Sequence, residues 1–422
     1  MFRHQTQSEQ APAEERVGNL PSDQNPESAF IMRLGRALLS LGSPAHRIET
    51  ILSMVAKRLR LDSQFFSTPT ALIASLGNEQ QSRTYMVRVE STATDLGKLS
   101  DILEVMDKVS DTNINIQQAS QEITEIYSSP PRYGSLLTWL AFTLVSASVA
   151  IILGGGWNEM FLAALIGSLV GGLNYLGKYF DAMQRLFVPI SATIGAIVAH
   201  IYVANIPTTN LLLPVIAGLI ILIPGMDLTM GTRELASGHL VSGSARVSGA
   251  ILVLMTILFG MLVGNFVGES MVGAIHSDPA IALDDWIRYL TIAVAAFSFT
   301  ILFRARARDF VVIMFACYLS IFALKYSQMI SSAVVAAAIA AVIVGVCANL
   351  FARISNRPSA VIYIPALLLL VPGALGFRSL TEIMQHNVIS GLEGFMNVVL
   401  TAIALTTGMV ISSVLVPSRN EF

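Results

Sequence analysis

The chain has 422 residues, of which 54% are hydrophobic and only 13% are charged, and its formal net charge is −2. A soluble domain carries about 25% charged residues, so most of this chain cannot form a water-facing surface. The nearly balanced charge also argues against nucleic-acid binding, which requires a basic stripe.

The charged residues are concentrated at the start of the chain, where residues 1–135 hold 13 of the 26 Lys and Arg and 16 of the 28 Asp and Glu. Residues 1–28 are rich in Gln, Glu, Pro and Ser and have no apolar core, which predicts a disordered N-terminal tail without a secretory signal. Residues 29–135 predict a small cytoplasmic α+β domain. Within it, helical spacing of apolar residues surrounds three short strands near 65–68, 71–76 and 85–89.

Ten apolar runs follow the Pro130-Pro131 pair, and each is close to the length of roughly 20 residues that a transmembrane helix needs. They lie at roughly 136–153, 158–177, 186–204, 211–226, 247–268, 286–303, 310–325, 329–351, 360–375 and 395–416. The fold class predicted from this pattern is an α-helical polytopic membrane protein with about ten transmembrane helices. We expect a first five-helix half at 136–268 and a second at 269–422.

An internal repeat relates the two halves. Residues 223–243 read IPGMDLTMGTRELASGHLVSG and residues 371–391 read VPGALGFRSLTEIMQHNVISG. Without gaps they share the Pro-Gly pair, a Glu ten residues after the Pro, and a closing Ser-Gly. The same offset of 148 places each of the first five predicted helices on one of the second five, which predicts a duplication.

Because five is an odd number, the second copy must enter the membrane from the opposite side, as in the inverted repeats of secondary transporters. If the domain at residues 29–135 is cytoplasmic, ten basic residues lie in loops on the cytoplasmic side (inside) and three lie in loops on the opposite side (outside). This is a clear positive-inside bias. Both chain ends are therefore expected to be cytoplasmic. The inside residues are Lys178, Arg185, Arg233, Arg246, Arg304, Arg306, Arg308, Arg353, Arg357 and Arg419, and the outside ones are Arg288, Lys325 and Arg378.

Two Pro-Gly pairs, Pro224-Gly225 and Pro372-Gly373, are predicted to interrupt the fourth and ninth helices. Proline removes a backbone donor and clashes with the preceding turn. Unwound backbone is tolerated in a bilayer only where it is buried or lines a cavity, and matching breaks in two repeats indicate a transport site. The alternative is that each Pro-Gly pair simply ends its helix at the membrane interface.

Four ionisable residues beside these breaks are the candidate substrate- or proton-binding residues: Asp227, Arg233, Glu234 and Glu382. Ionisable groups at membrane depth are costly and usually functional. An arginine or a helix N-terminus would suit the carboxylate of an amino acid, and a carboxylate would suit its ammonium group or a coupling proton. The alternative is that Arg233 and Glu234 form an ordinary pair in a solvated cytoplasmic loop.

Other polar residues are expected to have structural roles. Glu159, Asp181, Glu269 and Asp309 lie at predicted helix ends, where we expect solvated loop charges. The sequence contains no HExxH, GxSxG or metal-ligand cluster. Its two cysteines, Cys317 and Cys347, lie in apolar runs and are expected to be packing residues. We therefore expect no enzymatic activity, no cofactor and no metal site.

The segments Leu34–Glu49 (LGRALLSLGSPAHRIE) and Thr68–Leu76 (TPTALIASL), together with the two Pro-Gly…Ser-Gly motifs, resemble the bacterial threonine/serine exporter family. The resemblance covers about residues 29–416. It also covers the order of the segments, in which the cytoplasmic domain precedes the first five and then the second five helices. This order is similar to that of the fused, single-chain form of the family.

The resemblance implies a secondary transporter in the bacterial inner membrane that exports threonine and serine and is driven by the proton gradient. Split relatives are associated with succinate, so a dicarboxylate exporter is one alternative. A passive channel with a cytoplasmic ligand-sensing domain is another. The expected partners are a small amino acid or organic acid, protons and the lipid bilayer, with a homo-oligomer also open.

Overall fold

A computed structural model describes residues 26–77, 82–89, 94–110, 115–273, 275, 278–355, 357–370, 379 and 388–417. The chain divides into two compact units, and the boundary falls between Pro131 and Arg132. The second unit contains the helices that are long and apolar enough to cross a membrane, eight in the described ranges. The protein is therefore a multi-pass membrane protein with a separate, smaller unit before its membrane part.

The first unit combines four helices with one antiparallel sheet. The sheet has the order β1-β2-β3, with Phe66 paired to Ile73 and Ile73 to Met86. The helices and strands predicted from the sequence are confirmed within a few residues. Their bounds are α1 Pro26–Ser40, α2 Ala45–Arg58, β1 Ser63–Thr68, β2 Ala71–Leu76, β3 Arg83–Arg88, α3 Leu96–Ser110 and α4 Ile116–Ser128.

The core of this unit lies between the sheet and the first two helices. Leu34 of α1, Leu52 of α2 and Leu72 of β2 are fully buried. Gly35 makes this contact possible, because an added methyl group there would collide with the side chains of Leu52 and Leu72. The Glu49 carboxylate accepts a 2.7 Å hydrogen bond from the backbone N–H of Ser67, which ties α2 to β1.

The second unit consists of helices. The predicted membrane spans match the observed helices within four residues at both ends, except that the fifth and tenth helices begin seven residues earlier than predicted and the fourth and ninth spans are interrupted or short. The bounds are α5 Ser135–Ile152, α6 Trp157–Leu176, α7 Asp181–Arg185, α8 Phe187–Asn205, α9 Leu212–Gly218, α10 Gly225–Ala236, α11 Leu240–Val272, α12 Asp285–Leu302, a 3-10 turn Ala307–Asp309, α13 Phe310–Gln328, α14 Ala333–Ser355, α15 Ala360–Leu370 and α16 Val388–Leu415.

The fourth predicted span is not one continuous helix. It comprises the seven-residue α9, the non-helical residues 219–224 and the start of α10. The ninth predicted span corresponds to the eleven-residue α15, and residues 371–378 lie outside the described ranges. Both segments are shorter than the roughly 20 residues that cross a bilayer.

Small residues bring two pairs of long helices into backbone contact. A methyl group added at Gly260 of α11 would lie 2.6 Å from the carbonyl oxygen of Pro189 in α8. One added at Gly408 of α16 would lie 2.5 Å from the carbonyl oxygen of Ala338 in α14. Both distances are shorter than a carbon atom tolerates, so each helix pair depends on the missing side chain.

Candidate functional site

The candidate site is built on a hairpin of two helices, α10 and α11. Pro224 is the N-cap of α10, so the Pro224-Gly225 pair lies where the chain becomes helical again after residues 219–224. The turn between the two helices uses Gly238, whose φ of +84° favours glycine. The N–H of Gly238 bonds to the carbonyl of Leu235 and that of His239 to the carbonyl of Glu234, which is a Schellman motif.

Two glycines allow α10 and α11 to approach closely along the hairpin. An added Cβ at Gly231 would lie 2.8 Å from Val247 and 3.1 Å from the Cβ of Arg246. An added Cβ at Gly243 would lie 2.7 Å from the carbonyl oxygen of Gly231. The two helix backbones are therefore close together at Gly231 and Gly243.

A polar cluster, formed by Asp227 and Glu234 of α10 and by Ser242 and Arg246 of α11, occupies this contact. Ser242 Oγ donates a 2.6 Å hydrogen bond to Glu234 Oε2. Arg246 Nε lies 3.3 and 3.2 Å from the two oxygens of Glu234, and its Nη1 lies 3.3 Å from Asp227 Oδ1. One guanidinium thus bridges two carboxylates seven residues apart on α10.

The members of the polar cluster differ in their access to solvent. The side chain of Glu234 is 0% exposed, that of Arg246 is 14% exposed and that of Asp227 is 54% exposed. A buried carboxylate is stable only when it is paired and hydrogen-bonded, and Arg246 and Ser242 supply both interactions. Asp227 is the member that a solute can reach from outside the hairpin.

Arg233 lies on a different face of α10. Met226, Met230 and Arg233 follow the helical repeat along one face, whereas Asp227 and Glu234 lie on the next. Met226 and Met230 pack into an apolar cluster with residues of α13 to α16. The Arg233 guanidinium lies over the ring of Tyr363 in α15, 5.7 Å from its centroid. α10 therefore contacts α11 with one face and α15 with another.

The structure places three of the predicted site residues, Asp227, Arg233 and Glu234, on one short helix. It brings Asp227 and Glu234 together and keeps Arg233 apart from them. The other predicted residues of the site, Pro372, Gly373 and Glu382, lie outside the described residues.

Two residues of the site were not predicted as such: the sequence indicated only a loop charge at Arg246, and it gave Ser242 no role beyond the repeat motif. The spacing of Ser242 eight residues after Glu234 in both repeats is the signal that points to their pairing.

The prediction that Glu159 and Asp309 are solvated loop charges is wrong, because both are buried. Glu159 accepts 2.8 Å hydrogen bonds from the backbone N–H groups of Gly156 and Asn210, and so connects α6 to the segment before α9. Asp309 lies 2.7 Å from Arg357 Nη1 and so connects the start of α13 to the segment before α15. Gly156 is a local partner at the start of α6, but Asn210 and Arg357 lie 51 and 48 residues from the carboxylates they contact, which local patterns do not reveal.

Replacing Arg357 by alanine should lower the free energy of unfolding by roughly 3 kcal/mol, because it leaves the buried Asp309 carboxylate without its cation. The measurement is thermal unfolding of the purified protein in detergent. The matched control is Arg308→Ala, which removes an exposed arginine from the 3-10 turn that contains Asp309. Equal melting temperatures for the two variants would show that the Arg357–Asp309 pair contributes nothing measurable.

Comparison with known proteins identifies two matching family profiles. The profile described as a threonine/serine exporter matches residues 29–267. A second profile, described as threonine/serine exporter, ThrE, matches residues 288–415. The first contains α9, α10 and most of α11 with the whole polar cluster, and the second contains α15 with Tyr363. No solved structure matches the chain.

Several curated fungal proteins are similar to this chain. Pheromone-regulated membrane protein 10 of Debaryomyces hansenii is 27% identical over 367 residues, which cover 83% of this chain and 36% of the relative. The protein of that name from Saccharomyces cerevisiae is 24% identical, and the match covers 90% of this chain and 49% of the relative. An uncharacterized protein of Schizosaccharomyces pombe is also 24% identical, and the match covers 86% of this chain and 49% of the relative. The chain thus spans between about a third and about half of the length of these relatives.

Proposed function

The chain belongs to the threonine/serine exporter family, and from this premise we propose that it is a secondary active transporter that exports threonine and serine in exchange for protons. One observation carries the proposal. A helix break at Pro224 leads into a hairpin with a buried, ion-paired carboxylate and a half-exposed one. Interrupted helices with charged groups are the usual setting of a transport site.

We further propose that the membrane part is an inverted repeat of two five-helix halves, with α9–α10 and α15 completing the ten segments. Two contacts support it. Gly260 and Gly408, 148 residues apart, meet a carbonyl oxygen of the neighbouring long helix in the same way. Gly231 is in contact with Arg246. The residues 148 positions later, Ser379 and Gly394, are in contact with each other as well.

The two copies would then differ chemically. The position that corresponds to Arg246 is Gly394, so the second copy has no arginine to pair with Glu382 at that place. We propose that Glu234 organises the hairpin through Arg246 and that Asp227 receives the ammonium group of the substrate. Glu382, which lacks this arginine, is the group we assign to the coupling proton.

The position of the polar cluster favours uptake from the cytoplasm. α11 has 33 residues and is therefore about 50 Å long, more than the hydrocarbon thickness of about 30 Å. Ser242 and Arg246 lie in its first two turns. With the 237–239 turn in the cytoplasm, as the charge bias predicts, the polar cluster lies at the cytoplasmic end of α11. An exporter collects its substrate on that side.

The direct test of the proposed function is flux in vesicles. Purified protein is reconstituted, and efflux of labelled threonine, serine and succinate is measured with and without a proton gradient. We expect threonine and serine to move faster when the gradient is imposed and to compete with each other. Efflux of succinate alone would replace the amino-acid substrate by a dicarboxylate, and non-saturable efflux of all three would indicate a channel.

The inverted-repeat arrangement predicts which loops face each side. Single cysteines replacing exposed residues should be labelled by a membrane-impermeant thiol reagent from outside at Thr208 and Gln328, and only after permeabilisation at Ser237 and Arg308. The background removes the native Cys317 and Cys347. Labelling of Arg308→Cys in intact cells would contradict the inverted orientation. A bacterial inner membrane is the location we propose.

A further inference from the structure

We propose that Arg233 and Tyr363 together form a subsite for the carboxylate of the transported solute, at the contact between α10 and α15. The biological meaning of this subsite rests on the proposed function, whereas the contacts that support it do not depend on that function. The two residues come from the two proposed halves of the membrane part. A subsite shared between them would link substrate binding to the relative position of the halves, as alternating access requires.

The first observation concerns Tyr363. Its side chain is only 8% exposed, and its hydroxyl has no hydrogen-bond partner within the described ranges. A buried hydroxyl that stays unpaired costs about 1–3 kcal/mol, so buried tyrosines usually find a partner. Tyr363 belongs to an apolar cluster that includes Met230, Ile362, Ala366 and Leu367, and no other side chain of that cluster accepts a strong hydrogen bond. A bound solute would supply the missing partner.

The second observation concerns Arg233. Its guanidinium lies over the Tyr363 ring, a contact that uses the face of the cation and leaves its five in-plane N–H donors available. Among the described residues we find no carboxylate paired with it, in contrast to Arg246, which is paired with Glu234 and Asp227. A planar guanidinium with free donors binds a carboxylate through two parallel hydrogen bonds.

The third observation is the balance of charge around the hairpin. The fully described helices α10 and α11 carry, up to Arg246, two carboxylates and two guanidiniums, which gives a net charge of zero. Among these four groups, Arg233 is the one that has no ion-pair partner in the described part of the chain, so the region offers one anion site. The nearby Asp227 would repel a second carboxylate and attract an ammonium group. The subsite therefore fits a zwitterion with one carboxylate better than a dicarboxylate.

The test compares threonine with threoninamide, which keeps the ammonium and hydroxyl groups but lacks the carboxylate. Ligand-dependent thermal stabilisation of the purified, full-length protein gives a half-saturating concentration for each compound. In the unmodified protein, threonine should bind at least about tenfold more tightly than the amide. Tyr363→Phe, which keeps the ring, should reduce this ratio about fivefold, as expected for one hydrogen bond. Arg233→Gln should bring the ratio close to one.

Tyr318→Phe is the matched control, because the Tyr318 hydroxyl already donates to the carbonyl of Tyr289. This variant should keep the original ratio even if its melting temperature falls. Equal binding of threonine and its amide to the unmodified protein would overturn the proposal. So would an unchanged ratio in folded Tyr363→Phe and Arg233→Gln proteins, or no stabilisation by threonine at all. Binding of this kind without any flux in vesicles would support the subsite and refute the proposed transport function.

Discussion

Replacing Glu234 by glutamine should reduce proton-driven efflux at least tenfold, which corresponds to about 1.4 kcal/mol of lost stabilisation. Glutamine keeps the shape of the side chain and removes its charge. Arg246 would then keep only the contact with the half-exposed Asp227, so the hairpin would lose the interaction that fixes its geometry. Efflux per mole of protein in reconstituted vesicles is the measurement, with the amount of folded protein determined in parallel.

A loss of activity in Glu234→Gln has a second explanation, namely that an uncompensated Arg246 destabilises the protein. We expect a stability cost of about 1–3 kcal/mol, less than for a fully buried pair because Asp227 still faces the arginine. The double variant Glu234→Gln/Arg246→Gln separates the two explanations. It removes both charges, so it should recover stability but not efflux. Recovery of efflux in the double variant would show that the pair is purely structural.

Alanine at Gly260 or at Gly408 should destabilise the protein by about 1–3 kcal/mol each, the usual cost of overpacking a close contact. The atoms in the way are the carbonyl oxygens of Pro189 and Ala338, which belong to the backbone and cannot rotate aside. Each helix pair must therefore move apart. Thermal unfolding in detergent and the yield of monodisperse protein are the measurements.

Gly249 provides the control for this prediction within the same helix as Gly260. An added methyl group at Gly249 meets no atom within 4 Å. Alanine there should be neutral or stabilising by up to about 1 kcal/mol, because alanine is the better helix former. If Gly249→Ala lowers the melting temperature as much as Gly260→Ala, close packing is not the reason for the glycine. Similar losses for Gly260→Ala and Gly408→Ala would support the duplication.

Periodicity and composition predicted most of the helices, because each long apolar run determines its own structure in a bilayer. The start of α5 and of α8 lies within one residue of the predicted limit. The fourth predicted span was the difficult one, since its apolar run continues across residues 219–224, where the structure is not helical. Only the Pro224-Gly225 pair indicated an interruption there.

The candidate site was predicted less completely, because its contacts depend on how helices pack. The sequence predicted Asp227 and Glu234 as site residues but did not predict that Arg246 pairs with both of them. Arg246 lies on another helix, beyond the turn. Tyr363 was also missed, since it is separated from Arg233 by 130 residues and lies in an apolar helix. The burial of Asp309 depends on Arg357, 48 residues later.

The contribution of the first unit to transport can be tested separately, because the chain divides after Pro131. The buried residues of this unit form a core of their own, from Phe30 in α1 to Ile123 in α4. The family profile that matches residues 29–267 includes nearly all of the described part of this unit. A chain that begins at Arg132 would show whether flux requires it.

The central claim, that the protein is a carrier with one alternately exposed site, is tested most directly by counterflow. Vesicles containing the protein are loaded with a high concentration of unlabelled threonine and diluted into a trace of labelled threonine, without any proton gradient. A carrier predicts transient accumulation of label above its equilibrium level, followed by decay, and this overshoot should disappear in Arg233→Gln. A monotonic approach to equilibrium in the unmodified protein would contradict the account.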